Sequence, residues 1–99
     1  PVTSCVLFAF QADGHSVITV AGLPDEEKTR IQQAMVNAGA VQCGFCTPGF
    51  VLSIKVLLDE NPQPDRKQIM TAISGNLCRC TGYERIARAV EALAEGGKA

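Results

Sequence analysis

The chain is 99 residues long, with 46% hydrophobic residues, no tryptophan and a net charge of −1 at pH 7, which suits one domain, or one and a fragment of another. That charge, without a long basic run, gives no electrostatic footing on nucleic acid. The apolar stretches are too short to span a membrane, no secretory pattern opens the chain at Pro1, and no repeat or low-complexity tract is present.

Residues 1–23 read as a β-hairpin. Val6-Leu7-Phe8-Ala9-Phe10 is a continuous apolar run, Asp13-Gly14 is a turn signal, and Ser16-Val17-Ile18-Thr19-Val20 is rich in β-branched residues. A lone hairpin is marginal in water, so it must pack on the following helices or on an upstream sheet. From Pro24 the period turns helical. Asp25-Glu26-Glu27 puts acid in a first turn, Ile31, Ala34, Met35 and Ala38 share a face, and Gly39 stops the helix. Thr47-Pro48 reads as an N-cap followed by a first helical residue, with a stripe of Phe50, Val51, Ile54, Leu57 and Leu58 ending at Asn61-Pro62. Asp65 and Gln68 form a capping-box pattern ahead of Ile69, Met70 and Ile73, which face inward, and Gly75 ends that helix. The last helix starts near Tyr83 and buries Ile86, Val90 and Leu93 before Gly96-Gly97. Met35 and Met70 read as core filler rather than ligands.

Four of the five cysteines fall in two tight pairs, Cys43-Gly44-Phe45-Cys46 and Cys78-Arg79-Cys80. Thiolates brought to one point hold zinc or an iron–sulfur cluster. Zinc ribbons place two CxxC knuckles about 15–20 residues apart; here residues 47–77 intervene and the second knuckle is CxC, which makes zinc the less natural reading. Two disulfides are geometrically open, but an odd cysteine count without a secretory segment disfavours them. A thiol-based redox protein using Cys43 and Cys46 is a third alternative, and it leaves the CxC pair unexplained.

Each pair sits in a turn entering a helix. Free N–H groups at two helix starts can offset the charge of about −2 on an oxidised 2Fe–2S tetrathiolate centre. A zinc tetrathiolate has the same charge, so this geometry does not select the metal.

The segments Gln42-Cys43-Gly44-Phe45-Cys46-Thr47-Pro48-Gly49 and Gly75-Asn76-Leu77-Cys78-Arg79-Cys80-Thr81-Gly82-Tyr83 resemble the iron–sulfur subunit of molybdenum hydroxylases, the family of xanthine dehydrogenase, aldehyde oxidoreductase and carbon monoxide dehydrogenase. The resemblance covers essentially the whole chain. It implies a mainly α architecture, with residues 24–99 a four-helix 2Fe–2S-binding bundle of approximate two-fold symmetry. Residues 1–23 would be the closing hairpin of a plant-type ferredoxin domain. It further implies that Cys43, Cys46, Cys78 and Cys80 ligate the cluster proximal to the molybdenum cofactor. Gln42 would hydrogen-bond the pterin, and Cys80 would be the ligand nearest to it. Electrons from substrate oxidation would pass from a large molybdenum-cofactor subunit through this cluster to a second 2Fe–2S cluster and commonly to an FAD-binding medium subunit. This chain would be the electron-transfer part of an oxidoreductase with no substrate chemistry of its own. Cytoplasmic residence is the default, with export left open by the unknown upstream sequence.

Cys5 matches the last ligand of the family's second cluster, whose other cysteines should lie upstream. The chain therefore reads as a fragment of a longer subunit; the alternative is a vestigial Cys5 buried in a strand. His15 reads as a solvent-facing turn residue, Tyr83 as packing under the cluster loop, and Arg79, Arg85 and Arg88 as a solvated face near the cluster. No catalytic triad, phosphate loop or paired carboxylates are present.

Overall fold

In the computed structural model, which describes Pro1 and residues 4–79 and 82–96, four helices follow one another: α1 (Asp25–Asn37), α2 (Thr47–Glu60), α3 (Arg66–Ile73) and α4 (Glu84–Gly96). Helix α1 packs on α2 and α4, and α3 packs on the same two helices. The four thus close a ring around one core. Its fully buried large side chains are Ile31 and Met35 of α1, Phe50, Val51 and Ile54 of α2, Ile69 and Ile73 of α3, and Ile86 and Val90 of α4. Burying each such side chain stabilises the fold by about 1.5–3 kcal/mol before the entropy of ordering it.

The helices stop and start where local chemistry dictates. At the end of α1 the Ala40 N–H donates to the Met35 carbonyl at 2.8 Å and the Gly39 N–H to the Val36 carbonyl at 3.0 Å. That is a Schellman pair, and it delivers Ala40, fully buried, into the core. At the start of α3 the expected capping box forms: the Gln68 N–H donates to Asp65 Oδ1 at 2.8 Å and the Asp65 N–H to Gln68 Oε1 at 2.9 Å. Arg66 on α3 forms ion pairs with both Glu84 and Glu91 on α4. Met70 departs from expectation, since it is 39% exposed while Met35 is fully buried. Ile69 and Ile73 stand four apart on one face, and Met70 lies about 100° around the helix from Ile69.

The hairpin expected over residues 1–23 is not paired here. Among the described residues there is no strand; the segment runs through 3-10 turns at Ser4–Val6, Ala9–Ala12 and Val20–Gly22. The Asp13-Gly14 turn does form, with Gly14 at φ 77. The flanking bonds, however, are short-range ones, from the Gln11 N–H to the Phe8 carbonyl at 3.0 Å and from the His15 N–H to the Ala12 carbonyl at 3.1 Å. β-propensity depends on a pleated neighbour to pack against, and no strand among the described residues supplies one. Val6, Phe8, Phe10, Val17 and Ile18 are exposed, whereas Leu23 is buried and Val20 packs against the core. Cys5, expected in a strand, lies exposed in the first turn. His15 is exposed beside its turn, as expected.

Candidate metal centre

The first thiol pair lies on the loop between α1 and α2. Gly44, at φ 84, turns the backbone between Cys43 and Cys46, a conformation in which any side chain would be strained. Helix α2 then begins one residue earlier than the sequence suggests. Cys46 takes the N-cap position with an already helical backbone (φ −82, ψ −13), and its carbonyl accepts from the Phe50 N–H at 3.3 Å. Thr47, expected to cap the helix, is instead its first residue. Its Oγ1 is buried with no hydrogen-bond partner among the described residues. Pro48 remains in the first turn, where its missing N–H costs nothing.

The second thiol loop is tied down by side chains from elsewhere. Asn76 Nδ2 donates to Ser53 Oγ of α2 at 2.7 Å. The Asn76 amide also lies so close to Gly49, in the first turn of α2, that a Cβ there would stand 2.6 Å from Asn76 Oδ1. Two residues further on, the Cys78 N–H donates to the Tyr83 hydroxyl at 3.0 Å. The Tyr83 ring meets Phe50 of α2 edge-on, with centroids 6.2 Å apart and an interplanar angle of 63°. Tyr83 has φ 75, a left-handed conformation costing a residue with a Cβ about 1–2 kcal/mol. Its carbonyl accepts from the Ala87 N–H at 3.0 Å and so starts the ladder of α4. The expectation that Tyr83 packs under the thiol loop holds, with an added hydrogen bond.

These constraints bring Cys43, Cys46 and Cys78 around one cavity of ≈ 370 Å³, completed by Phe45, Leu77, Arg79 and Tyr83. Cys80, expected as the fourth ligand and the one nearest the pterin, lies outside the described residues. Cys5 is not among the cavity's lining residues. Among the described residues no disulfide joins any of the cysteines, and no three Cys, His, Asp or Glu side chains stand close enough to grip a single metal ion. The Cys43, Cys46 and Cys78 side chains border that one space. The donors are soft thiols throughout, as an iron–sulfur cluster requires.

The Cys46 thiol is pushed up to about 11, by burial first and then by its hydrogen bond with Cys78 and the nearby Cys78 and Cys43 sulfurs; a backbone hydrogen bond opposes this and is outweighed. That direction is wrong for a nucleophilic thiol, which needs a lowered value. It fits a sulfur that gives up its proton when a bound cation compensates the charge.

The cavity rim is apolar. Phe45 is 94% and Leu77 86% exposed, and Gln42 is exposed next to Cys43. Of the three arginines flagged in the sequence, Arg79 lines the cavity. Arg85 Nη1 donates to the Gly39 carbonyl at 3.4 Å, and Arg88 pairs with Glu84 at 3.3 Å. Sequence reasoning missed Ser53 and its bond to Asn76. The signal was present, since Ser53 shares the apolar face of Phe50, Ile54 and Leu57, where a hydroxyl must find a partner.

A family model described as a 2Fe-2S binding domain matches residues 19–91, a span that takes in both thiol loops. The small FeS subunit of nicotinate dehydrogenase from Eubacterium barkeri is 51% identical over 96 residues, covering 96% of this chain and 61% of that subunit. The nicotine 6-hydroxylase small subunit of Paenarthrobacter nicotinovorans is 48% identical over 89 residues, covering 90% of this chain and 54% of that subunit. Among solved structures, quinoline 2-oxidoreductase from Pseudomonas putida 86 superposes with a TM-score of 0.84 at 44% identity, over 99% of this chain and 62% of that one. The chain thus spans little more than half the length of the curated small subunits it matches.

Proposed function

This chain belongs to the 2Fe-2S binding domain family, and on that premise we propose that it is the electron-transfer module next to the molybdenum cofactor in a molybdenum hydroxylase. The observation that carries the reading is the single cavity bordered by Cys43, Cys46 and Cys78. With Cys80 as the fourth ligand, these residues would hold a 2Fe–2S cluster, which supplies one-electron transfer when bound. The chain itself does no substrate chemistry. Its residues bind the group and present an exposed apolar rim, Phe45 and Leu77, to a partner.

Gln42, exposed beside Cys43, is the residue we assign to the pterin contact across that face. The partner is a large subunit carrying the molybdenum cofactor, followed in the electron path by an FAD-binding medium subunit, with cytoplasmic residence part of the same reading. Relatives named as small subunits support a multi-subunit assembly. No helix among the described residues is long and apolar enough to cross a membrane.

Residues 24–99 form the cluster-binding domain, and residues 1–23 close a ferredoxin-type domain in which Cys5 is the last ligand of a second cluster. The row of exposed apolar side chains from Val6 to Ile18 supports that assignment, because such a segment gains by pairing with further strands. Reductive titration of the anaerobically loaded chain tests the main reading. Reversible uptake of about one electron per chain is expected; a loaded but redox-silent metal would overturn it.

A further inference from the structure

We propose that Asn76 is a positioning residue: its amide, latched to Ser53 of α2, presets Cys78 for the cluster and slows loss of the bound group. The inference rests on the 2Fe–2S reading above and concerns a side chain that is not a ligand. Asn76 stands two residues before Cys78. Its Nδ2 donates to Ser53 Oγ at 2.7 Å, and its backbone N–H donates to the Ile73 carbonyl, at the end of α3, at 3.1 Å. Cys46 is the N-cap of the same helix α2. The latch therefore fastens the second thiol loop to the rigid element that carries the first.

The two arms of the site differ in how they are held. Cys78 is buried, at 8% exposure, whereas Cys43 is exposed. The latch lies on the N-terminal side of Cys78, and the Cys78 N–H itself donates to the Tyr83 hydroxyl at 3.0 Å. The surface of α2 is shaped to receive the amide. A Cβ at Gly49 would stand 2.6 Å from Asn76 Oδ1, so a side chain there would exclude it. Ser53 is buried among apolar residues, where its hydroxyl needs a partner, and Asn76 is that partner. When a bond from iron to sulfur opens, the released thiolate either closes it again or takes up a proton. A thiolate held in place closes it faster, because little freedom remains to be lost. Preorganisation of the buried arm thus favours retention.

The test follows two rates: iron release to a chelator from the anaerobically reconstituted full chain, and alkylation of Cys78 in the metal-free chain, mapped by peptide mass. Asn76→Ala removes the latch and should speed iron release about tenfold, the lower end of the range for groups that orient metal ligands. It should also speed alkylation of Cys78 while leaving that of the exposed Cys5 unchanged. Gly49→Ala displaces the amide without removing it; it should act in the same direction and add nothing in the Asn76→Ala background. Ile31→Val loosens the buried core at α1 and should change neither rate. Unchanged iron release or Cys78 alkylation in Asn76→Ala, an equal acceleration in Ile31→Val, or additive effects of the Gly49 and Asn76 replacements would overturn the proposal and reduce Asn76 to a packing residue. If Asn76→Ala fails to fold, Gly49→Ala and Ser53→Ala, each set against Ile31→Val, decide in its place. A parent chain that takes up no cluster overturns the 2Fe–2S reading and this inference together, whereas a loaded parent whose retention is insensitive to Asn76 overturns this inference only.

Discussion

Replacing Gly49 by alanine should destabilise the protein, although alanine is the better helix former. Gly49 lies in the first turn of α2, where helix propensity alone would favour Gly49→Ala by about 0.5–1 kcal/mol. Against this, the new Cβ would stand 2.6 Å from Asn76 Oδ1, so the amide must move. Movement breaks its 2.7 Å bond to Ser53, whose side chain is buried at 6% exposure. Leaving a buried hydroxyl unsatisfied costs about 1–3 kcal/mol. The net expectation is a loss of roughly 1–2 kcal/mol, or about 4–8 °C in Tm for each kcal/mol in a domain of this size. Urea and thermal unfolding followed by far-UV circular dichroism measure it. The decisive control is Asn76→Ala. In that background the obstacle is gone, and Gly49→Ala should become stabilising by the helix-propensity amount. If Gly49→Ala stabilises the parent, or destabilises both backgrounds equally, the close approach of α2 to the second thiol loop is not what this position is for.

Cys43→Ser and Cys80→Ser should each abolish cluster loading and also lower thermal stability, since the bound group ties the two thiol loops together; melting of variant and loaded parent at the same temperature would contradict this. Gln42→Ala should leave iron and sulfide content intact while slowing electron exchange with the molybdenum subunit, as stopped-flow reduction would show. Met35→Ala should cost about 2–5 kcal/mol and Met70→Ala under about 0.5 kcal/mol by urea titration, because only the first of the two is enclosed by the core. The Arg66 guanidinium, assisted by Arg88, holds the Glu84 carboxyl below its ordinary value of 4.5. A depressed folded value contributes stability that is present above the unfolded value and lost as pH falls through the folded one. The Tm difference between the parent and Glu84→Gln should therefore shrink as pH drops below about 4.5; a difference that grows on acidification would reverse the assignment.

The helices were legible because their signals are local. Ile31 and Met35, Phe50 and Ile54, and Ile69 and Ile73 each repeat every four residues, and Asp65 with Gln68 announces the start of α3 in the sequence itself. The thiol pairs were equally legible, since their spacing survives without knowledge of the fold. What escaped was contact between segments distant in the chain. Nothing around Asn76 points to Ser53, and no local rule puts Tyr83 at positive φ with its hydroxyl on the Cys78 amide. Thr47 misled because Thr-Pro is a fair capping signal in isolation. The turn at Gly44 leaves Cys46 already helical, so the helix starts there. The apolar and β-branched residues of 6–20 carry strong strand propensity, but a strand needs an edge to pair with, and that is a property of the surroundings.

The most direct test of the central claim is metal and acid-labile sulfide analysis of the anaerobically purified chain, with low-temperature EPR before and after reduction. About two irons and two sulfides per chain, with one spin-half signal appearing on reduction, is the result this account predicts. Stoichiometric zinc without sulfide, persisting after attempted iron reconstitution, would contradict it and leave Cys43, Cys46, Cys78 and Cys80 holding a structural ion.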